Sequence, residues 1–169
     1  MNKSCVYYCE GEDDQKLIDA LKVAPGKILP GKSKKLNVVQ SLIPKSILLA
    51  IKPDTNVVLV FDTDVITNLA VVKKNIENIQ RYCRGVKIVY LLQVKNLEDE
   101  LVRCTDVKTV MELTKSKSLS NFKADFRKMK EEQCRNMLES HKIDVGRMWT
   151  TAAPVEFDFA ERNSGIIKK

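Results

Sequence analysis

Acidic side chains are the residues of this sequence best suited to chemistry, and they fall in three groups. Glu10, Glu12, Asp13 and Asp14 follow the run SCVYYC; Asp62 and Asp64 follow NVVLVF; Glu98, Asp99 and Glu100 lie just beyond KIVYLLQV. Carboxylates brought to one place repel each other unless a cation sits among them. Hard oxygen donors suit Mg²⁺, with Mn²⁺ as a substitute, bound by a few carboxylates together with water and a substrate phosphate. Each group also has a plainer role. Asp13 or Asp14 suits a helix cap, Glu98 to Glu100 suit the first turn of a helix, and Asp62-x-Asp64 suits a turn. The combination is what points to a metal site. Asp62 and Asp64, two residues apart, face opposite sides of a continuing strand and converge only if the chain turns at Thr63.

The elements that must position these acids are legible from periodicity. SCVYYCE (4–10) is a short aromatic-rich run with strand character, and DDQKLIDALKVA places Leu17, Ile18 and Leu21 at helical spacing. PGKILPGKSKK carries Pro/Gly breaks around Ile28 and Leu29, which suits a short strand or an extended loop. KLNVVQSL and PKSILLAIK read as two helical pieces, with Pro44 in the first turn of the second. NVVLVFD (56–62) is a continuous apolar run, as a strand covered on both faces requires. Leu69, Val72, Ile76, Ile79 and Cys83 then step as an amphipathic helix, GVKIVYLLQV (85–94) is a further apolar strand, and NLEDELVRC a short helix. The order β-α-(β)-α-β-α-β predicts an α/β fold with a mainly parallel sheet. In such sheets ligands bind beyond the carboxyl ends of the strands, where all three acidic groups fall. From about residue 107 the sequence becomes densely charged and helix-like, with Phe122, Phe126 and Met129 on one face.

Composition narrows the classes of function. The chain has 169 residues, 44% of them apolar and 30% charged, enough for one domain with a sizeable core and unlike a disordered chain. A net charge of +7 favours a polyanionic partner such as nucleic acid, although solvated lysine faces give the same sum. Cys5, Cys9, Cys83, Cys104 and Cys134 are odd in number and lack the paired spacing of a zinc site, so reduced thiols packed as small hydrophobes are expected. MNKSCVYYCEGE meets acids too early for a signal peptide, and no stretch approaches the roughly 20 apolar residues of a membrane span. A cytoplasmic protein without a membrane partner is expected. The lone His141 lies far from the acidic motifs and is read as a surface residue.

YYCEGEDD, followed about fifty residues later by VLVFDTD, resembles the Toprim domain of topoisomerases, bacterial primases, OLD-family nucleases and a ribosomal-RNA maturation nuclease. Glu10-Gly11 matches the family's first motif and Asp62-x-Asp64 its second, over roughly residues 4–104. The chain's small size, GKSKKLNVV and NLEDEL look most like Toprim domains of OLD-type nucleases. The resemblance implies a compact Rossmann-like fold, a four-stranded sheet with helices on both faces. It divides the chain into a Toprim-like catalytic domain, 1–106, and a charged helical extension, 107–169, packing on the same domain. It implies Glu10 as general acid/base or metal ligand, Asp62 as the principal Mg²⁺ ligand and Asp64 as a second. Glu98, Asp99 or Glu100 would complete a second metal position, and Gly11 would let the backbone turn sharply so that a phosphate approaches. Lys32, Lys115 and Lys117 are the lysines considered for the developing charge, though each also suits a plain surface position.

The implied activity is Mg²⁺-dependent hydrolysis of phosphodiesters in DNA or RNA, the basic extension gripping the backbone. Two other readings stand beside it. One is a non-catalytic Toprim-like module that binds nucleic acid or a protein partner within a larger system, or assembles as a homo-oligomer. The other is a receiver-type phosphoacceptor domain, for which Lys95 would supply the lysine after the last strand.

Overall fold

The structure, a computed structural model, describes residues 4–64, 69–160 and 164–168. Its centre is strand β3 (Asn56–Asp62), whose residues from Asn56 to Phe61 are all buried. Val58 and Val60 point into one core, while Val57, Leu59 and Phe61 point into another, so no position before Asp62 faces water. A continuous apolar run is the signature of such a doubly covered strand, and burial of each Val or Leu stabilises the fold by roughly 1.5–3 kcal/mol.

Strands β1 (Cys5–Cys9), β2 (Gly31–Lys35) and β4 (Lys87–Gln93) join β3 in the order β2-β1-β3-β4, and every pairing is parallel. Cys9 lies opposite Val60 and Asp62 opposite Gln93, so the chain leaves β1, β3 and β4 at one common edge. One face of the sheet is covered by α1 (Glu12–Lys22), α4 (Leu97–Cys104), α5 (Val110–Thr114), α6 (Leu119–Lys128) and α7 (Glu131–Ser140). The other is covered by α2 (Lys45–Leu49), α3 (Leu69–Tyr82) and the segment carrying Phe157 and Ala160. This is an α/β fold with a four-stranded, all-parallel sheet and helices around it.

The charged extension does not form one long helix. Lys115, left-handed at φ 57°, ends α5, and Ser118 caps α6 by accepting the Asn121 N–H. Phe122 and Phe126 of α6 and Cys134 and Leu138 of α7 lie in the same core as Leu17 and Leu21 of α1, so 107–142 completes the core that α1 begins.

Between the motifs the short strand expected around Ile28 and Leu29 forms at Gly31–Lys35, and one expectation is corrected. GKSKK is a strand although it carries no large apolar side chain, because an edge strand needs only backbone pairing with β1. Gly31 is required there, since a Cβ would run into the Cys5 carbonyl. KLNVVQSL is not helical. It turns over residues 38–41, and the buried Asn75 of α3 holds that turn by accepting the Ile43 N–H and donating to the Val38 and Ser41 carbonyls. Ile28 forms an isolated antiparallel bridge with Ile167. All five cysteines are free and buried. Among the described residues no helix is long and apolar enough to cross a membrane.

Candidate functional site

The site is built where β1, β3 and β4 end. Glu10 extends the β1 pairing by donating its N–H to Val60 at 3.0 Å. Its carboxylate is held at both oxygens: Oε2 accepts the Asp62 N–H at 3.0 Å, and Oε1 accepts from Asn37 Nδ2 at 3.2 Å. Asn37 is itself fixed, because its Oδ1 accepts the N–H groups of Val39 and Gln40. The turn anchored by Asn75 therefore delivers a side chain that orients Glu10.

Asp14 enters from α1. It is the third residue of that helix, and its Oδ2 accepts the N–H of the N-cap Gly11 at 2.8 Å. Capping by Asp14 and membership of the acidic group are thus one arrangement, and this side chain is only 5% exposed. Gly11 has an ordinary extended backbone at φ −125°, not the sharp turn expected of it. Its lack of a side chain matters for room: a Cβ would approach Asp14 Oδ2 to 3.2 Å.

Asp62 closes the group from β3. Its Oδ1 is buried without a hydrogen-bond partner. Directly across the β3–β4 pairing sits Gln93, fully buried, and neither of its polar side-chain atoms reaches a partner at hydrogen-bond distance. The Gln93 amide does lie near enough to Asp14 to favour that carboxylate. Buried unpaired polar atoms cost on the order of 1–3 kcal/mol each. Three of them at adjacent strand ends, beside three carboxylates, mark a place that a polar ligand or cation would satisfy.

The electrostatics agree with this crowding. Burial first, and then the charges of Asp14, Glu10, Asp64 and Glu98, push Asp62 up to about 8. Burial likewise raises Glu10, opposed by the hydrogen bonds from Asp62 and Asn37, and it raises Asp14, opposed by the hydrogen bond from Gly11 and by the nearby Gln93 amide.

A second ring of acids surrounds these three, and each of its members has a cation. Glu12 meets Lys35 at 2.8 Å and Arg127 at 3.7 Å; Asp13 meets Arg127 Nε at 2.6 Å. Glu98 meets Lys123 at 2.7 Å, and Asp99 meets Lys95 at 3.8 Å. Lys123 and Arg127 lie one turn apart on α6, so the C-terminal layer reaches the site through that helix.

The other sequence-predicted residues are distributed unevenly. Asp64 is exposed, close enough to raise Asp62 and Glu10, at a bend fixed by the Thr63 N–H donating to Gln93 and the Lys95 N–H donating to Thr63 Oγ1. Glu100 does not join the site: it is 1% exposed and accepts hydrogen bonds from Arg103 and from the Trp149 N–H. Lys32 sits opposite Val6, toward the amino end of β2; Lys35, opposite Cys9, is the lysine of that strand at the functional edge. Lys115 and Lys117 are exposed in the α5–α6 connection and form no ion pair with the described rim acids. His141 pairs with Asp106, away from this edge.

Asn37, Gln93, Lys123 and Arg127 are the members that sequence reading missed. The i,i+4 spacing of Lys123 and Arg127 was the one available signal, since neutral amides announce nothing by type. Among the described residues, no three His, Cys, Asp or Glu side chains already form a group arranged to hold a metal ion. Compared with protein-family models, curated proteins and solved structures, the chain gives no significant match.

Proposed function

We propose that this chain is a divalent-cation-dependent phosphodiesterase acting on nucleic acid, with a Toprim-type acidic site. The observation that carries the proposal is the convergence of Glu10, Asp14 and Asp62 with no ion-pair partner among the described residues, beside the unpaired buried Asp62 Oδ1 and Gln93 amide. These are hard oxygen donors and fit Mg²⁺ or Mn²⁺. Asp62, Glu10 and Asp14 would hold the cation, with Asp64 and Glu98 at its margin. The cation supplies Lewis-acid polarisation of a phosphoryl oxygen. The protein's own part is to fix the carboxylates. Asn37 and the Asp62 N–H orient Glu10, and the Gly11 N–H orients Asp14. The resemblance of Glu10-Gly11 and Asp62-x-Asp64 to the Toprim motifs supports the same reading, and the net charge of +7 suits a polyanionic substrate.

A non-catalytic Toprim-like binding module is the second reading, favoured by the absence of a ready-made three-ligand group among the described residues. The receiver reading is weaker, because Lys95 reaches toward Asp99 and its side chain is 77% exposed. The deciding experiment is cleavage of labelled DNA and RNA with Mg²⁺ or Mn²⁺ by the native chain, Glu10→Ala and Asp62→Ala. Metal-dependent cleavage lost in both variants supports hydrolysis. Salt-sensitive binding that survives both, with no cleavage by the native chain, supports the binding module.

A further inference from the structure

A shallow groove on α6 is lined by Leu119, Ser120, Lys123, Ala124 and Arg127. Its two cations lie about 6 Å apart along the helix axis, four residues at about 1.5 Å each. Ser120 and Ala124 leave space beside them, so a chain can approach the helix closely. Both cations are spent on rim acids, Lys123 on Glu98 and Arg127 on Asp13. The cations are partly exposed, 39% for Lys123 and 45% for Arg127, while their carboxylates are 17% and 14% exposed, so each cation can be reached from solvent on its open side. A phosphate offers charge-assisted bonds to both Lys and Arg of the same kind as those they make to the rim carboxylates.

We propose that this groove binds the sugar–phosphate backbone of a single nucleic-acid strand, with Lys123 and Arg127 exchanging their rim carboxylates for successive phosphates. The proposal rests on the nucleic-acid reading above and adds where the strand runs: along α6, toward the carboxyl edge where Glu98 and Asp13 sit. Recognition is through phosphate and not through bases, because the aromatic residues of α6, Phe122 and Phe126, are turned into the core and offer no stacking platform. Leu119, 47% exposed at the start of the helix, gives an apolar contact for a sugar or base face.

The test is binding of fluorescein-labelled single-stranded DNA and RNA oligonucleotides, measured by anisotropy in EDTA over a range of salt. The native chain is compared with Lys123→Gln/Arg127→Gln and with Lys74→Gln/Arg81→Gln, which removes equal charge from α3 on the other face. Circular dichroism confirms that each variant is folded. The α6 variant is expected to bind at least about tenfold more weakly, with the log–log salt slope reduced by about 1.4, two phosphates at about 0.7 each. The α3 variant should match the native chain. Equal loss in both variants, no loss in the α6 variant, or no binding by the native chain overturns the proposal. Hydrolysis is followed separately with Mn²⁺ and the small phosphodiester bis(p-nitrophenyl) phosphate. If the α6 variant loses binding while the native chain hydrolyses nothing, the groove stands and the enzyme reading falls. If both hydrolyse the small ester equally and bind strands equally, the enzyme reading stands and the groove falls.

Discussion

The inner and outer acids at the sheet's carboxyl edge are the same chemical groups, a few residues apart, and they are treated in opposite ways. Glu12, Asp13, Glu98 and Asp99 each have a lysine or arginine within ion-pair distance. Glu10, Asp14 and Asp62 have backbone and amide donors for some of their oxygens and no cation among the described residues. A fold optimised for stability alone would place a lysine among the three, as it does a short distance away. The inner set therefore carries a repulsion that no cation among the described residues offsets, and it answers by raising Asp62 so that it holds its proton.

The largest effect comes from breaking the inner set. Asp62→Asn should lower Mn²⁺ affinity, measured calorimetrically, by at least about 100-fold, beyond the 10- to 100-fold typical of an outer hydrogen-bond partner. Asp99→Asn, which removes an outer charge, should leave affinity within about threefold. Equal losses in the two variants would erase the distinction between the rings.

Asn37→Ala comes next. It removes no charge and no proposed ligand, yet it frees Glu10 Oε1 from its donor. Mn²⁺ affinity should fall about 10-fold. Asn37→Asp should fall less, because a carboxylate there adds a possible oxygen donor while it loses the hydrogen bond. If both substitutions leave affinity unchanged, Glu10 needs no positioning and the turn anchored by Asn75 has only a structural purpose.

Asp62→Asn also tests the repulsion directly, without any metal. Burial and its acidic neighbours raise Asp62 from an ordinary value of 3.8 to about 8. Between those values the folded chain keeps a proton that the unfolded chain has lost, so stability falls as pH rises from about 4 to about 8. Below that window both states are protonated and the penalty vanishes. In EDTA at pH 8 the Asn variant should therefore be more stable by about 1–2 kcal/mol, a rise in Tm of about 2–8 °C. At pH 4.5 the difference should shrink toward zero. A variant that melts lower at pH 8 would show that Asp62 is already neutralised by something within the fold.

How far these rings were legible in the sequence depended on residue type and on distance along the chain. β3 and β4 were readable because a doubly buried strand must be apolar throughout, and Glu10 and Asp62 followed from strand ends. β2 was readable only as a short strand or an extended loop, because GKSKK is an edge strand whose pairing lies in its backbone. KLNVVQSL misled through the spacing of Leu36, Val38 and Val39, whose turn is imposed by Asn75, more than thirty residues later. The ring to which each acid belongs was invisible, since it is set by partners from α6. Glu98 and Glu100 are two residues apart on one short helix. Glu98 meets Lys123, while Glu100 is buried under Trp149. Gln93 could be seen only as the polar end of an apolar strand, and its unpaired amide emerges from the register that sets it against Asp62.

The smallest effect is expected in the outer ring, and its smallness is the point. Asp13 and Arg127 form two short hydrogen bonds, 2.6 and 2.7 Å, from Nε and a terminal nitrogen to the two carboxylate oxygens. That geometry is the best such a pair can have, and the Arg127 side chain is nonetheless 45% exposed. A double-mutant cycle of Asp13→Asn and Arg127→Gln, read by denaturant unfolding, should give a coupling of about 0.5–1 kcal/mol that declines toward zero in 1 M salt. A coupling of several kcal/mol, insensitive to salt, would mean that Arg127 is a fixed strut of the C-terminal layer. It would then be unavailable to exchange partners, and the outer ring would be structural instead of a set of weak pairs that a phosphate can displace.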